Sequence, residues 1–153
     1  MKTKTNLIEA HILRKSEKVI EYLIMKRASN QKYPNIWQMV TGKIKSKEKA
    51  YQTAIREIKE ETNLDVDELY IVPNVNYFYD GTDDSITIIP VFLAIIREDQ
   101  VVKLSVEHSE YKWVTAKEAK ELFAWVGQRQ SVDIIEEYFS KNNSTLTFQK
   151  INI

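Results

Sequence analysis

The run at 85–96, SITIIPVFLAII, constrains this chain more than any other segment because it is almost wholly apolar. Its length and its isoleucines suit a strand, and a strand apolar on both faces has to be covered on both faces. A half-solvated sheet is thereby excluded. Pro90 lacks an N–H to give to a neighbour, which predicts a bulge or an edge position within the run.

Further strand-like segments lie at 5–13 and 18–25, joined by the polar turn RKSE into a hairpin, with a short piece at 37–40 and longer ones at 66–79 and 106–114. Between them, 46–62 has helical periodicity, with Tyr51, Ala54, Ile55, Ile58 and Thr62 on one stripe. Ser46 is the expected N-cap and Asn63 the expected left-handed C-cap. Thr115 and Glu118 form a T-x-x-E capping box that opens a helix over 116–123, and 128–140 is a second amphipathic stretch. Helices punctuating a strand-rich middle predict an α+β fold, an αβα sandwich with a mixed β-sheet between helices. With no repeat or linker, 1–153 reads as a single domain, and 144–153 as either an edge strand or a loose tail.

Composition narrows the chemistry. The chain of 153 residues has no cysteine, which excludes disulfides, thiolate metal sites and a cysteine nucleophile, and suits the cytoplasm. No run approaches the ~18 apolar residues of a membrane span, so no membrane partner is expected. Lys plus Arg and Asp plus Glu number 22 each, so the chain lacks the basic field that binds a nucleic-acid polymer. Among the three glycines neither G-x-G-x-x-G nor G-x-x-x-x-G-K-[ST] occurs, and a phosphate-bearing ligand must be met by local charge or a metal. A homodimer is compatible with all of this.

The informative segment is 42–64, GKIKSKEKAYQTAIREIKEETNL. On a helix Glu57, Glu60 and Glu61 share one face. Like charges at this spacing destabilise a helix by roughly 0.2–0.5 kcal/mol per pair, and a hard cation with oxygen ligands relieves the repulsion. Mg2+ fits best. Arg56 is placed to orient a neighbouring carboxylate, and Glu48 has a capping or structural role.

This segment resembles the Nudix box, G-x5-E-x7-R-E-U-x-E-E-x-G-U with U aliphatic. Gly42, Glu48, Arg56, Glu57, Ile58, Glu60, Glu61 and Leu64 all fall in register, and Asn63 replaces the second glycine. Asparagine tolerates the left-handed conformation that glycine would supply there. The resemblance implies an αβα sandwich and cleavage of a nucleoside diphosphate linked to another group, with Mg2+ or Mn2+ held by the box glutamates.

IWQMVTG at 36–42, VEHSEYKWV at 106–114 and WVGQRQ at 125–130 further resemble the bacterial dihydroneopterin triphosphate pyrophosphohydrolase branch of that family. Carried over by position, the resemblance implies Glu57, Glu61 and Glu107 as metal ligands and Arg27, Thr41 and Gln128 as substrate contacts. Glu60 joins the ligands on its spacing, and Glu57, Arg56, Glu60 and Glu107 form the candidate catalytic set. Glu107 is expected on a strand, with Glu110 on its opposite face. Trp37 and Trp113 read as packing more than stacking, and the lone histidines His11 and His108 as structural. The expected reaction is Mg2+-dependent hydrolysis of a small nucleoside-triphosphate-like compound, dihydroneopterin triphosphate or a deoxynucleoside triphosphate, to monophosphate and pyrophosphate. A dinucleoside polyphosphate or nucleotide sugar is the alternative substrate, and a non-catalytic nucleotide-binding module a distant one. The base pocket is expected to use Thr41, Gln128 and the stretch Tyr77, Phe78 and Tyr79.

Overall fold

Side-chain alternation along three inner strands sorts the core into two layers. The computed structural model describes residues 1–17, 19–140 and 144–153. Ile8, Ala10 and Ile12 of β2 (Leu7–Lys15), Leu23 and Met25 of β3 (Ile20–Arg27), and Phe92, Ala94 and Ile96 of β7 (Ser85–Ile96) share one cluster with Ala54 and Ile58 of α1 (Ala50–Thr62). The intervening residues Leu13, Tyr22, Ile24, Val91 and Leu93 share a second cluster with Ala119 of α2 (Ala116–Leu122) and Val132 and Ile135 of α3 (Val126–Ser140). The sheet is therefore sandwiched between α1 on one face and α2 with α3 on the other, which covers the apolar run on both faces over 91–96; Ile88, in its first half, stays exposed on the ribbon with the strand that precedes it. Each large aliphatic side chain so buried contributes about 1.5–3 kcal/mol.

Among the described residues the sheet has nine strands and is mixed. Its spine runs β4 (Trp37–Gln38), β3, β2, β7, β6 (Glu68–Asp80), β9 (Lys150–Ile151). β1 (Lys2–Lys4) joins β7, β5 (Val40–Lys43) joins β2, and β8 (His108–Val114) joins β3. The β2–β7 and β1–β7 pairs are parallel and the others antiparallel. Pro90 sits where its missing N–H does least harm. β1 pairs with 85–87 and β2 takes over from Val91, while on the other side β6 bulges between Val72 and Val75, opposite Pro90.

Several boundaries differ from the sequence reading. The first hairpin extends through the expected turn, because Arg14 pairs with Glu21 and Lys15 with Ile20; the chain reverses at Ser16, whose N–H donates to the Val19 carbonyl. The expected strand start at Lys18 lies outside the described residues. α1 begins at Ala50, not Ser46, because Lys47 is left-handed with φ 67° and breaks the helical path. The piece at 37–40 divides into β4 and the start of β5. α3 begins two residues early, since the N–H groups of Gln128 and Arg129 both reach the Trp125 carbonyl. Asn63 caps α1 as expected, with φ 61° and ψ 14°, and the Thr115 and Glu118 capping box is formed. After a 3-10 turn over Ser144–Gln149, β9 pairs with Leu69 and Tyr70. Among the described residues no helix is long and apolar enough to cross a membrane.

Candidate active site

α1 carries the carboxylates and β5 determines how closely they approach the sheet. A Cβ at Gly42 would lie 2.2 Å from Glu57 Cγ and 2.6 Å from its Cδ, so the glycine is required for space, and Glu57 lies directly over the β5 backbone. No glycine in the described chain has positive φ, so the first box position needs a missing side chain and not a special turn.

Arg56 organises the outer part of the cluster. Its Nε and Nη2 grip both oxygens of Glu48 at 2.8 and 3.0 Å, and Nη2 also donates to the Lys43 carbonyl. Nη1 donates to Glu57 Oε1 at 2.6 Å and to Glu60 Oε2 at 3.0 Å. Glu48 also accepts from the Lys45 N–H and the Thr53 hydroxyl, and the Arg56 hydrogen bonds hold its carboxyl down to about 2. This is the structural role expected for Glu48. Glu60 is the outermost of the three helix carboxylates, exposed and also paired with Lys45 at 3.6 Å.

Glu61 is different. Its side chain is 4% exposed, and its Oε2 is buried without a hydrogen-bond partner; His108 Nδ1, 3.9 Å away, is too far to donate to it. Burial first, and then the negative charges of Glu107 and Glu57, raise the carboxyl to about 9, against a smaller opposing effect of Arg27. His108 cannot neutralise it, because burial and the Arg27 charge lower that imidazole to about 4. Burial also raises Glu57, in spite of Arg56. A buried carboxylate oxygen with no donor, surrounded by further carboxylates, has the chemistry of a cation ligand. As placed, no three acidic, histidine or cysteine side chains among the described residues converge tightly enough to chelate one ion, and Arg56 draws Glu57 aside. The fit to a divalent cation thus rests on the Glu61 oxygen and the donor set around it.

Glu107 does not lie on a strand, contrary to expectation. β8 starts at His108, with a register shift between Lys26 and Arg27, and Glu107 occupies the preceding turn, its carbonyl accepting from the Ala28 N–H. That turn brings it beside Arg27 and close enough to Glu61 to shift it. The expected strand-face contrast with Glu110 therefore fails, and Glu110 pairs instead with Lys26 at 3.3 Å. Arg27 also lies here, its Nε donating to the Lys32 carbonyl at 2.7 Å.

Thr41 and Gln128 come together elsewhere, on the sheet face covered by α3. Thr41 is the register partner of Glu9 on β2, and the Gln128 amide lies near enough to the same Glu9 to oppose the rise of its carboxyl. Alternation along β5 places Thr41 and Gly42 on opposite faces, so one residue step links this polar group to Glu57. The sequence reading missed Glu9 and its other partner, Asn76. Tyr77, Phe78 and Tyr79 are exposed on the β6–β7 ribbon, with Tyr79 donating to Asp84. Trp113 packs on the α1-side core under Arg14, and Trp37 packs on the other core, matching the packing role expected of both. His11 is fully buried between Tyr22 and Phe123, and burial lowers it to about 3.

Comparison with known proteins agrees with this architecture. A dihydroneopterin triphosphate diphosphatase of Haemophilus influenzae is 36% identical over 104 residues, covering 58% of this chain and 63% of that protein. The enzyme of the same name from Escherichia coli is 32% identical over 113 residues, covering 65% and 74% respectively. In the solved structure of a NUDIX hydrolase from Listeria monocytogenes, the same fold recurs with a TM-score of 0.78 at 24% identity, covering 92% of this chain and 97% of that one. The NUDIX domain model matches residues 10–133, which span the box, both substrate-contact candidates on the α3 side and the Glu107 turn, and the chain belongs to the NUDIX hydrolase family.

Proposed function

We propose that the protein is a Mg2+-dependent pyrophosphohydrolase that converts a small nucleoside-triphosphate-like substrate, dihydroneopterin triphosphate or a purine deoxynucleoside triphosphate, to its monophosphate and pyrophosphate. The observation that carries this reading is the unpartnered, buried Glu61 oxygen facing Glu57, Glu107 and Arg27. Glu57, Glu60, Glu61 and Glu107 hold the cation. When bound, Mg2+ (or Mn2+) supplies charge neutralisation at the phosphate oxygens and a lowered pKa for a coordinated water. Arg56 fixes the directions of Glu57 and Glu60 through its Nη1. Arg27 grips phosphate oxygens, a carboxylate of the cluster accepts the proton of the attacking water, and Thr41 and Gln128 contact the base. The names of the two bacterial relatives support the choice of substrate.

The substrate is tested by assaying a panel of phosphorylated compounds for pyrophosphate against orthophosphate release. Dihydroneopterin triphosphate and purine deoxynucleoside triphosphates are expected to lead, with pyrophosphate as the product. A dinucleoside tetraphosphate or nucleotide sugar favoured by ~10-fold or more in kcat/KM would reassign the branch and leave the phosphoanhydride chemistry standing.

The cation is tested by melting curves. The folded Glu61 carboxyl is raised from 4.5 to about 9, so the native state keeps a proton that the unfolded chain has released. In metal-free protein its contribution to stability is therefore lost as pH rises through that window. A cation must displace the proton, so binding strengthens as pH rises. Millimolar Mg2+ is expected to raise Tm, more at pH 8 than at pH 6, and Glu61→Gln to remove most of the increment. An unchanged Tm at both pH values would refute the cation site.

A further inference from the structure

On the α3 face of the sheet, four polar side chains form a chain of hydrogen bonds with a fixed direction. Ser131 Oγ donates to the Gly127 carbonyl and accepts from Asn74 Nδ2 at 2.8 Å. Asn74 Nδ2 also donates to Asn76 Oδ1 at 3.2 Å, which leaves Asn76 Nδ2 as a donor, and it is directed at Glu9 Oε2. The Gln128 amide lies beside Glu9 and, with Asn76, opposes the rise of its carboxyl. Glu9 is thus where the chain of donors ends.

The local fold explains why these groups meet. The bulge between Val72 and Val75 inserts Pro73 and Asn74 into β6 and re-aims the strand so that Asn76 reaches across β7 to β2. Gly127 completes the approach, since a Cβ there would lie 2.5 Å from Asn76 Oδ1. Glu9, Asn76 and Gln128 are all buried, Glu9 at 7% and Gln128 at 2% exposure.

Two features are unexplained by packing alone. Glu9 is a buried acid with no cationic side chain among the groups that shift it; burial raises its carboxyl, and only the two amides oppose the rise. Gln128 Oε1 is buried with no hydrogen-bond partner. The cluster therefore presents surplus acceptors at Glu9 and Gln128 Oε1, while the Asn74 amide is spent on Asn76 and Ser131 and one N–H of Asn76 on Glu9. Buried acceptors left without donors are costly, so the complementary ligand brings N–H groups.

We infer that Glu9, positioned by Asn76 and accompanied by Gln128 Oε1, reads the base through adjacent ring N–H and exocyclic amino donors, the 2-amino-4-oxo pyrimidine edge shared by pterins and guanine. This rests on the proposed function and deepens it, since it selects guanine-like over adenine-like bases at the same site. Adenine offers an amino group beside a bare ring nitrogen, and that lone pair would face the Glu9 carboxylate. Hypoxanthine keeps the ring N–H and lacks only the amino group, so comparing the two isolates a single donor.

The test uses the full chain and the monophosphates GMP, IMP and AMP, which contain no anhydride and can be titrated at equilibrium. GMP is expected to bind at least ~10-fold more tightly than IMP, with AMP weaker than GMP by at least as much. Glu9→Gln is expected to bring the GMP to IMP ratio within about twofold, with GMP weakened most, IMP less and AMP least, because glutamine keeps the shape and removes the acceptor charge that the ring N–H and the amino group both use. The corresponding ratio of kcat/KM for dGTP over dITP should fall in parallel. Equal binding of GMP and IMP by the unmodified protein overturns the inference and needs no variant to fold. A uniform loss for all three ligands in Glu9→Gln also overturns it, because that marks a structural role. If GMP is discriminated from IMP but no triphosphate yields pyrophosphate, the base pocket stands and the proposed reaction falls; hydrolysis without discrimination has the opposite meaning.

Discussion

Glutamine at position 61, or at position 57, is expected to lower kcat by ~100-fold or more with the fold retained. Glu61 makes the sharper case. Its Oε2 has no hydrogen-bond partner to lose and its carboxyl already favours the neutral form without metal, so the uncharged isostere should fold as well as the native side chain. What glutamine cannot provide is a negative charge once a cation and a phosphate chain are bound. Glu57→Gln removes the charge that faces Arg56 Nη1, but Glu48 and Glu60 continue to hold that guanidinium. Turnover at saturating Mg2+ and thermal melts of both variants give the measurement. Wild-type kcat in either would take that carboxylate out of the reacting centre.

Gly42→Ala should be nearly as damaging, though position 42 makes no chemical contact with substrate in the proposed site. Its methyl would fall 2.2, 2.6 and 2.8 Å from Glu57 Cγ, Cδ and Oε1, closer than non-bonded atoms can approach. Those atoms belong to a flexible side chain, so the strain is relieved by Glu57 swinging away and not by unfolding. The swing breaks the 2.6 Å bond to Arg56. A displacement near ~1 Å at a reacting centre can cost ~100-fold in rate. The variant is therefore expected to melt close to wild type, to lose activity on the scale of Glu57→Gln, and to lose little more when the two changes are combined. Full activity in Gly42→Ala, or strictly multiplicative losses in the double variant, would contradict this account.

The part of the site that sequence made legible is the part whose geometry is local. Gly42 to Leu64 is one short excursion and one helix, so spacing alone brings Arg56, Glu57 and Glu61 into relation, and Asn63 adopts the cap its chemistry allows. The start of that helix was not legible, because a left-handed Lys47 has no residue signature, and lysine in that conformation is held by its surroundings. Glu107 was read as a strand residue and lies in a turn beside Glu61, since the β8 start depends on a register shift against β3. Glu9 was invisible for a further reason. Within LIEAHIL an alternating polar residue reads as solvent-facing, and only pairing of β2 on both sides, with β5 and β7, beneath α3 makes that face an interior. Asn76 depends on a bulge, which periodicity does not reveal.

The parallel pairing of β2 with β7 has a consequence for how the protein comes into being. Glu9 lies against Val91 and Arg14 against Ile96, while Arg27 of the same hairpin waits for His108. Closing such distant partners is slow compared with forming a helix, so α1 can fluctuate into shape long before the sheet exists. During synthesis the first hairpin must leave the ribosome with Ile8, Ile12, Leu23 and Met25 uncovered, and the interval before β7 arrives is when association with other chains competes with folding. The candidate site is assembled under the same rule, from Glu9 near the beginning of the chain to Gln128 near its end. A chain stopped after β6 would have its carboxylate helix but neither β7, which joins β2 to β6, nor the turn that carries Glu107, so maturation of the enzyme is a late, cooperative event.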